Sequence, residues 1–117
     1  MKLLEGKTAI VTGAARGIGE AIAIKFAEHG CNVAFTFVSD GSKEKATVLE
    51  QKLTALGVKA KAYQSNAGDF IACEVFVNDV MKEFSSVDIC VNNAGISKDN
   101  LLLRMTPEQF EEVIKVN

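Results

Sequence analysis

Three glycines, Gly13, Gly17 and Gly19, lie in the run Thr12-Gly13-Ala14-Ala15-Arg16-Gly17-Ile18-Gly19, directly after the apolar, β-branched run Thr8 to Thr12. A phosphate reaches the start of a helix only where the backbone before it is clear, because free N–H groups and the positive end of the helix dipole must touch the anion. Gly13 is expected to permit the tight turn out of a strand. Gly17 would admit a pyrophosphate, and Gly19 would let helix and sheet pack closely. A second constellation, Asn92-Asn93-Ala94-Gly95, closes another apolar run. The chemistry these residues offer is the gripping of a phosphate-bearing nucleotide.

The elements that must position them read off the hydrophobic pattern. Thr8 to Thr12 predicts a strand buried on both faces. Ile18, Ile22 and Phe26, with Ala21, Ala23 and Ala27 between them, predict a helix whose left-handed cap is Gly30. Asn32 to Phe37 predicts the second strand. Ala46, Leu49, Leu53 and Leu56 then mark a helix that stops at Gly57. Lys59 to Gln64 reads as the third strand, and Phe70, Cys73, Val77, Val80 and Phe84 as the stripe of a third helix started by Asp69. Val87 to Asn92 is the fourth strand. Strands alternating with helices of this length give an α/β fold with a parallel sheet and right-handed crossovers. Thr106-Pro107-Glu108-Gln109 is a capping box with proline at the first helical position, opening a helix with Phe110, Val113 and Ile114 as its stripe.

Composition bounds the partners. The chain has 117 residues, 48% of them apolar, which suits one domain spanning residues 1–117. The net charge of −2, without a basic cluster, leaves no electrostatic footprint for nucleic acid. Cys31, Cys73 and Cys90 show no C-x-x-C spacing and no paired histidine, which argues against a disulfide framework or a metal site and favours a reducing, cytoplasmic setting. No run of residues is long and apolar enough to suggest a membrane span. His29 is explained by its place beside the negative end of a helix dipole, and Cys90 as a small core hydrophobe.

The spacing Thr-Gly-x-x-x-Gly-Ile-Gly differs from the G-x-G-x-x-G of other dinucleotide folds, and together with Asn92-Asn93-Ala94-Gly95 it resembles the short-chain dehydrogenase/reductase family along essentially the whole chain. The resemblance implies a Rossmann-type doubly wound sheet of which this chain covers the first four strands and the start of the following helix, incomplete at the C-terminus. It implies a cofactor cradle of Gly13, Ala14, Ala15, Arg16, Gly17, Ile18 and Gly19. Further contacts would come from Val38 and Ser39 after the second strand, Asn66 and Ala67 after the third, and Asn93, Ala94 and Gly95 beside the nicotinamide ribose. Arg16 in the loop, with Phe37-Val38-Ser39 at the strand end, favours NADPH (NADP) over NAD, which Asp40 keeps as the less favoured alternative.

Ser97 to Met105 looks like the stretch beside the substrate mouth in bacterial 3-oxoacyl-[acyl-carrier-protein] reductases. That branch reduces a β-keto thioester borne by acyl carrier protein, in fatty-acid synthesis, as a homotetramer. Its catalytic asparagine matches Asn117, which holds the water of a proton relay. Its serine and its Tyr-x-x-x-Lys have no counterpart here, for the only tyrosine, Tyr63, has Ala67 four residues on. The 117-residue chain alone is therefore expected to be inactive. With no fifth strand foreseen, the fourth is expected to be an exposed, adhesive sheet edge. Two alternatives stand beside this reading: another short-chain reductase acting on acetoacetyl-CoA, a steroid or a sugar, and a non-catalytic nucleotide-binding or interaction module.

Overall fold

A computed structural model describes residues 2–15, 17–66, 69–93 and, by backbone, 101–104. The elements run β1 (Thr8–Val11), α1 (Gly17–Glu28), β2 (Asn32–Phe37), a 3-10 turn (Asp40–Ser42), α2 (Lys43–Ala55), β3 (Ala60–Gln64), α3 (Phe70–Phe84), β4 (Ile89–Asn92) and β5 (Leu101–Arg104). The sheet order is β3-β2-β1-β4-β5. The four expected strands are all parallel, with Val11 opposite Phe35 on one side and Val91 on the other.

Successive side chains of a strand point to opposite faces, and both faces of this sheet are covered. Ala9, Val11, Val33, Phe35 and Phe37 pack under α1 and α2 with Ala23, Ala27, Leu49 and Leu53. Ile10, Ala34 and Cys90 pack under α3 with Phe76, Val77 and Val80. That is why β1 and β2 are apolar at nearly every position rather than alternating. The helix ends follow the expected chemistry. Gly30 and Gly57 take φ of +86° and +96°, and the Asp69 carboxylate accepts from the Ala72 N–H 3.1 Å away to start α3. α3 ends on Ser85 in the left-handed region, a position without a glycine to announce it.

Four expectations need correction. The face that α1 buries is Gly19, Ala23 and Ala27, whereas Ile18 is 64% exposed and Ile22 and Phe26 are only half-buried. Small side chains let the helix lie close to the sheet, and this outweighs the greater burial area of the branched ones. Phe70 and Leu56 are likewise exposed at the ends of their helices, while Ala46, Leu49 and Leu53 of α2 and Val77 and Val80 of α3 are buried and Cys73 and Phe84 are half-buried. Asp40–Ser42, which the hydrophobic pattern assigns to no helix or strand, is a 3-10 turn leading into α2.

The fourth correction concerns the sheet edge. β4 is not unpaired: β5 runs antiparallel along it, with Asn92 opposite Leu101 and Ile89 opposite Arg104. A strand with free backbone groups on one side is a template, and the run Leu101-Leu102-Leu103 supplies a partner from the same chain. Part of the stretch expected beside a substrate mouth is thus a strand. The helix expected from Thr106 lies outside the described residues.

Candidate functional site

The glycine-rich turn sits at the carboxyl end of β1, flanked by the ends of β2 and β4, where ligands bind in doubly wound sheets. Gly13 and Gly17 both take φ of +66°, a left-handed conformation that costs other residues free energy. A Cβ built on Gly17 meets nothing within 4 Å, so the first turn of α1 is open to an approaching group. Gly19 is the opposite case. A Cβ there would lie 2.5 Å from the Gly13 carbonyl oxygen, 2.7 Å from Asn93 Nδ2 and 2.9 Å from Ala14 Cα. Gly17 leaves space for a ligand, while Gly19 leaves space for the protein itself.

The turn is strapped from both sides. From β2, the Thr36 hydroxyl accepts from the Gly13 N–H at 2.9 Å and the Thr36 carbonyl accepts from the Ala14 N–H at 3.0 Å. From β4, the Val91 carbonyl accepts from the Thr12 N–H at 3.0 Å. The Thr12 hydroxyl donates to Asn92 Oδ1 at 3.1 Å and accepts from the Asn93 N–H at 2.9 Å. Asn93 Nδ2 donates to the Gly13 carbonyl oxygen at 3.3 Å. The two expected constellations are therefore one hydrogen-bonded unit, joined by Thr12.

Of the expected cofactor contacts, Ala14 and Ala15 are buried in the turn and Ile18 is exposed at the start of α1. Val38 and Ser39 are exposed just past β2, and Asn66 is exposed just past β3, all at the same end of the sheet. Arg16, Ala67, Ala94, Gly95 and Asn117 lie outside the described residues. Gln64 Nε2 ties the loops after β2 and β3 together, donating to the Val38 carbonyl at 3.0 Å and to Asp40 Oδ1 at 2.9 Å. Asp40, the residue that kept a ribose-binding carboxylate in view, thus has a structural partner in the loop.

Thr36 was missed by sequence reading. It is one of the two buried polar side chains among the described residues, with Thr8. The available signal was a hydroxyl at an inner position of the otherwise apolar run Val33-Ala34-Phe35-Thr36-Phe37, where only a bonded polar group is tolerated.

The remaining reactive side chains stand apart from the turn. Burial pushes the Cys90 thiol up to about 12, with a lesser contribution from Cys73, and burial followed by the nearby Asp88 carboxylate does the same for Cys31. Both are protonated near neutral pH and are poor nucleophiles. The Tyr63 phenol is also raised to about 12, first by burial and then by Glu83, Asp79 and Glu50. Its ring packs edge-on against Phe76, with centroids 5.2 Å apart, on the sheet's outer strand. No group of three or more metal-ligating side chains occurs among the described residues.

Residues 7–117 match the family described as short chain dehydrogenase. The chain is 45% identical over 111 residues to the 3-oxoacyl-[acyl-carrier-protein] reductase FabG of Staphylococcus aureus (strain Mu50 / ATCC 700699), covering 95% of this chain and 44% of that protein. It is 41% identical over 118 residues to the NADP-dependent mannitol dehydrogenase of Alternaria alternata, covering 97% of this chain and 43% of the other. Among solved structures, it superposes on a blue fluorescent protein from a metagenomic library in complex with NADPH, with a TM-score of 0.77 and 45% identity over 80% of this chain and 38% of that one. The chain thus spans less than half the length of the curated relatives it matches. With the glycine turn, the Asn92-Asn93 strap and the parallel β3-β2-β1-β4 core in one unit, the chain belongs to the short-chain dehydrogenase family.

Proposed function

We propose that this chain is the nucleotide-binding part of an NADPH-dependent 3-oxoacyl-[acyl-carrier-protein] reductase of fatty-acid synthesis, working in the cytoplasm as a homotetramer. The single observation that carries the nucleotide reading is the pair of glycine geometries: Gly17 open, Gly19 closed against Gly13 and Asn93. A pyrophosphate fits the open side, where first-turn N–H groups of α1 and the positive end of its dipole face outward. The likeness to FabG, at 45% identity, supports the substrate class.

The chemistry that NADPH would supply when held there is a hydride for the C3 carbonyl carbon of a β-keto thioester, whose oxygen would take up a proton to give the β-hydroxy product. The chain's own residues bind and orient. Gly13 to Gly19 hold the pyrophosphate, Val38 and Ser39 border the adenosine ribose, and Asn66 and Ala67 border the adenine. Asn93, Ala94 and Gly95 border the nicotinamide ribose, with Asn93 fixed by its bond to the turn. Asn117 is assigned to the water of a proton relay. The proton donor is not Tyr63, which lies on β3 with its hydroxyl buried and without a hydrogen-bond partner among the described residues.

The test follows NADPH oxidation by the protein that carries this chain, with acetoacetyl-[acyl-carrier-protein] and, separately, fructose. Reduction of the thioester supports the proposal. A preference for the sugar moves the protein toward the mannitol dehydrogenase branch, which the 41% identity to that enzyme favours as the second reading. Cofactor binding without turnover of either would leave a nucleotide-binding module.

A further inference from the structure

Among the described residues β3 is the outermost strand of the sheet, with β2 on one side and no strand on the other. Two bonds fix its inner side: the Lys59 carbonyl accepts from the Val33 N–H and the Ser65 N–H donates to the Phe37 carbonyl, each at 3.0 Å. Backbone groups alternate in direction along a parallel strand, so Lys59, Lys61, Tyr63 and Ser65 turn theirs toward β2, and Ala60, Ala62 and Gln64 turn theirs outward. An outward row of this kind is a template for another chain.

One side chain stands on that row. Glu50, half-buried on α2, accepts from the Ala62 N–H through Oε2 at 2.6 Å, so the central outward donor is already held in a short, charge-assisted bond. The strand's own residues, by contrast, suit pairing with a second copy. Antiparallel about a two-fold axis at Ala62, Ala62 would meet Ala62, Ala60 would meet Gln64 and Lys61 would meet Tyr63. No like charges oppose one another in that register. Lysine over tyrosine is a contact the strand already makes, with Lys61 Nζ 5.3 Å from the Tyr63 ring centroid. The obstacle is Glu50. Two Glu50 carboxylates would converge on the Ala62 pair, each obliged to leave its bond and each repelling the other.

We infer that Glu50 guards the outer edge of the sheet: its carboxylate closes β3 against strand addition by a second copy of this chain. The inference is independent of the cofactor reading, and it assigns a role to a residue on the far side of β2 from the glycine-rich turn.

Light-scattering mass across a concentration series tests it on the protein that carries this chain, as wild type, Glu50→Ala, Glu50→Ala/Ala62→Pro and Glu44→Ala. Glu44→Ala removes an exposed carboxylate from the first turn of the same helix and controls for charge. Glu50→Ala is expected to climb with concentration to about twice the wild-type mass or beyond, since each opened edge takes up another copy. Proline is tolerated where an edge N–H points outward, and it removes the central donor, so the double variant should return to the wild-type mass. Should proline unfold the strand, hydrogen exchange of the 60–64 segment decides, because in Glu50→Ala it must slow as concentration rises. A Glu50→Ala protein that keeps the wild-type mass throughout overturns the inference. So does an equal rise in Glu44→Ala, for which lowered charge alone would account. A rise in Glu50→Ala that a folded proline variant retains, or that leaves exchange at 60–64 unchanged, puts the contact elsewhere and overturns it too.

Discussion

Asn93 Nδ2 donates to the carbonyl oxygen of Gly13 across 80 residues of sequence, and the same nitrogen stands 2.7 Å from where a Cβ on Gly19 would be. The end of β4 thereby fixes the shape of the turn that follows β1. A turn held only by its own glycines would be free to sample many conformations, and glycine loses more entropy on ordering than any other residue. Here the ordering is supplied by Thr12, Thr36 and Asn93 from three different strands or strand ends.

Gly19→Ala is the direct probe of that closeness. The added methyl collides with backbone at Gly13 and Ala14 rather than with the far end of a flexible side chain, so the turn must shift. Destabilisation of about 1–3 kcal/mol is expected, as for overpacking elsewhere, together with loss of NADPH binding. Urea denaturation and cofactor titration measure the two effects. Wild-type values for both would mean that the turn relaxes at no cost and that the strap is loose.

Thr36→Val separates the hydroxyl from the packing. The two side chains are nearly equal in size, but valine leaves the Gly13 N–H without its partner. A loss of about 1 kcal/mol is expected, the lower part of the range for an unsatisfied group that is only partly buried. The urea midpoint reports it. Cofactor affinity should fall as well, since Gly13 sits at the start of the proposed pyrophosphate cradle, and an unchanged affinity would confine Thr36 to a structural role.

Much of this was legible in the sequence because the physics was local. Thr8-Ala9-Ile10-Val11 is apolar at consecutive positions, so it had to be a strand covered on both faces. Gly30 and Gly57 ended helices where the periodicity stopped. What stayed hidden depends on residues distant in the chain. The Gly19, Ala23 and Ala27 face of α1 is written at every fourth residue, yet Ile18, Ile22 and Phe26 have the same period and more apolar surface. Only the nearness of the turn and the sheet decides which stripe faces inward. Ser85 could not be recognised as a left-handed cap, because a residue other than glycine gives no local signal of a positive φ. The pairing of Leu101–Arg104 with β4 likewise follows from an available edge and not from any alternation in those four residues.

Arg16→Ala should reduce the preference for NADPH over NADH, because a guanidinium can grip a phosphate through two hydrogen bonds where a hydroxyl offers no charge. Titration with both cofactors checks this, and equal wild-type affinities for the two would sink the assignment before any variant is made.

The 117-residue chain by itself is expected to reduce no ketone with NADPH. Its buried thiols and the Tyr63 phenol hold their protons near neutral pH and lie away from the turn, and a positioned acid contributes about 10²–10⁴-fold to such a step. Steady-state assays on mass-verified material decide it. Sustained turnover would require a proton donor among the residues of this chain and would reassign the site.

The same raised thiols predict how stability responds to alkali. In the folded chain Cys31 and Cys90 titrate near 12, against 9.0 for an ordinary cysteine, because burial disfavours the thiolate. Below 9.0 both folded and unfolded forms keep these protons, so the two groups impose no slope. Between 9.0 and about 12 the unfolded chain releases protons that the folded chain retains, so stability falls as pH rises through that window. Tyr63 adds the same sign between 10.0 and about 12. Urea midpoints should therefore decline above pH 9, and the Cys31→Ala/Cys90→Ala variant should show a shallower decline whatever its stability at neutral pH. Lysine deprotonation acts on both proteins and cancels in the comparison. Identical slopes for wild type and variant would show that the two thiols are already accessible to water in the folded state, contrary to their burial beneath α1 and α3.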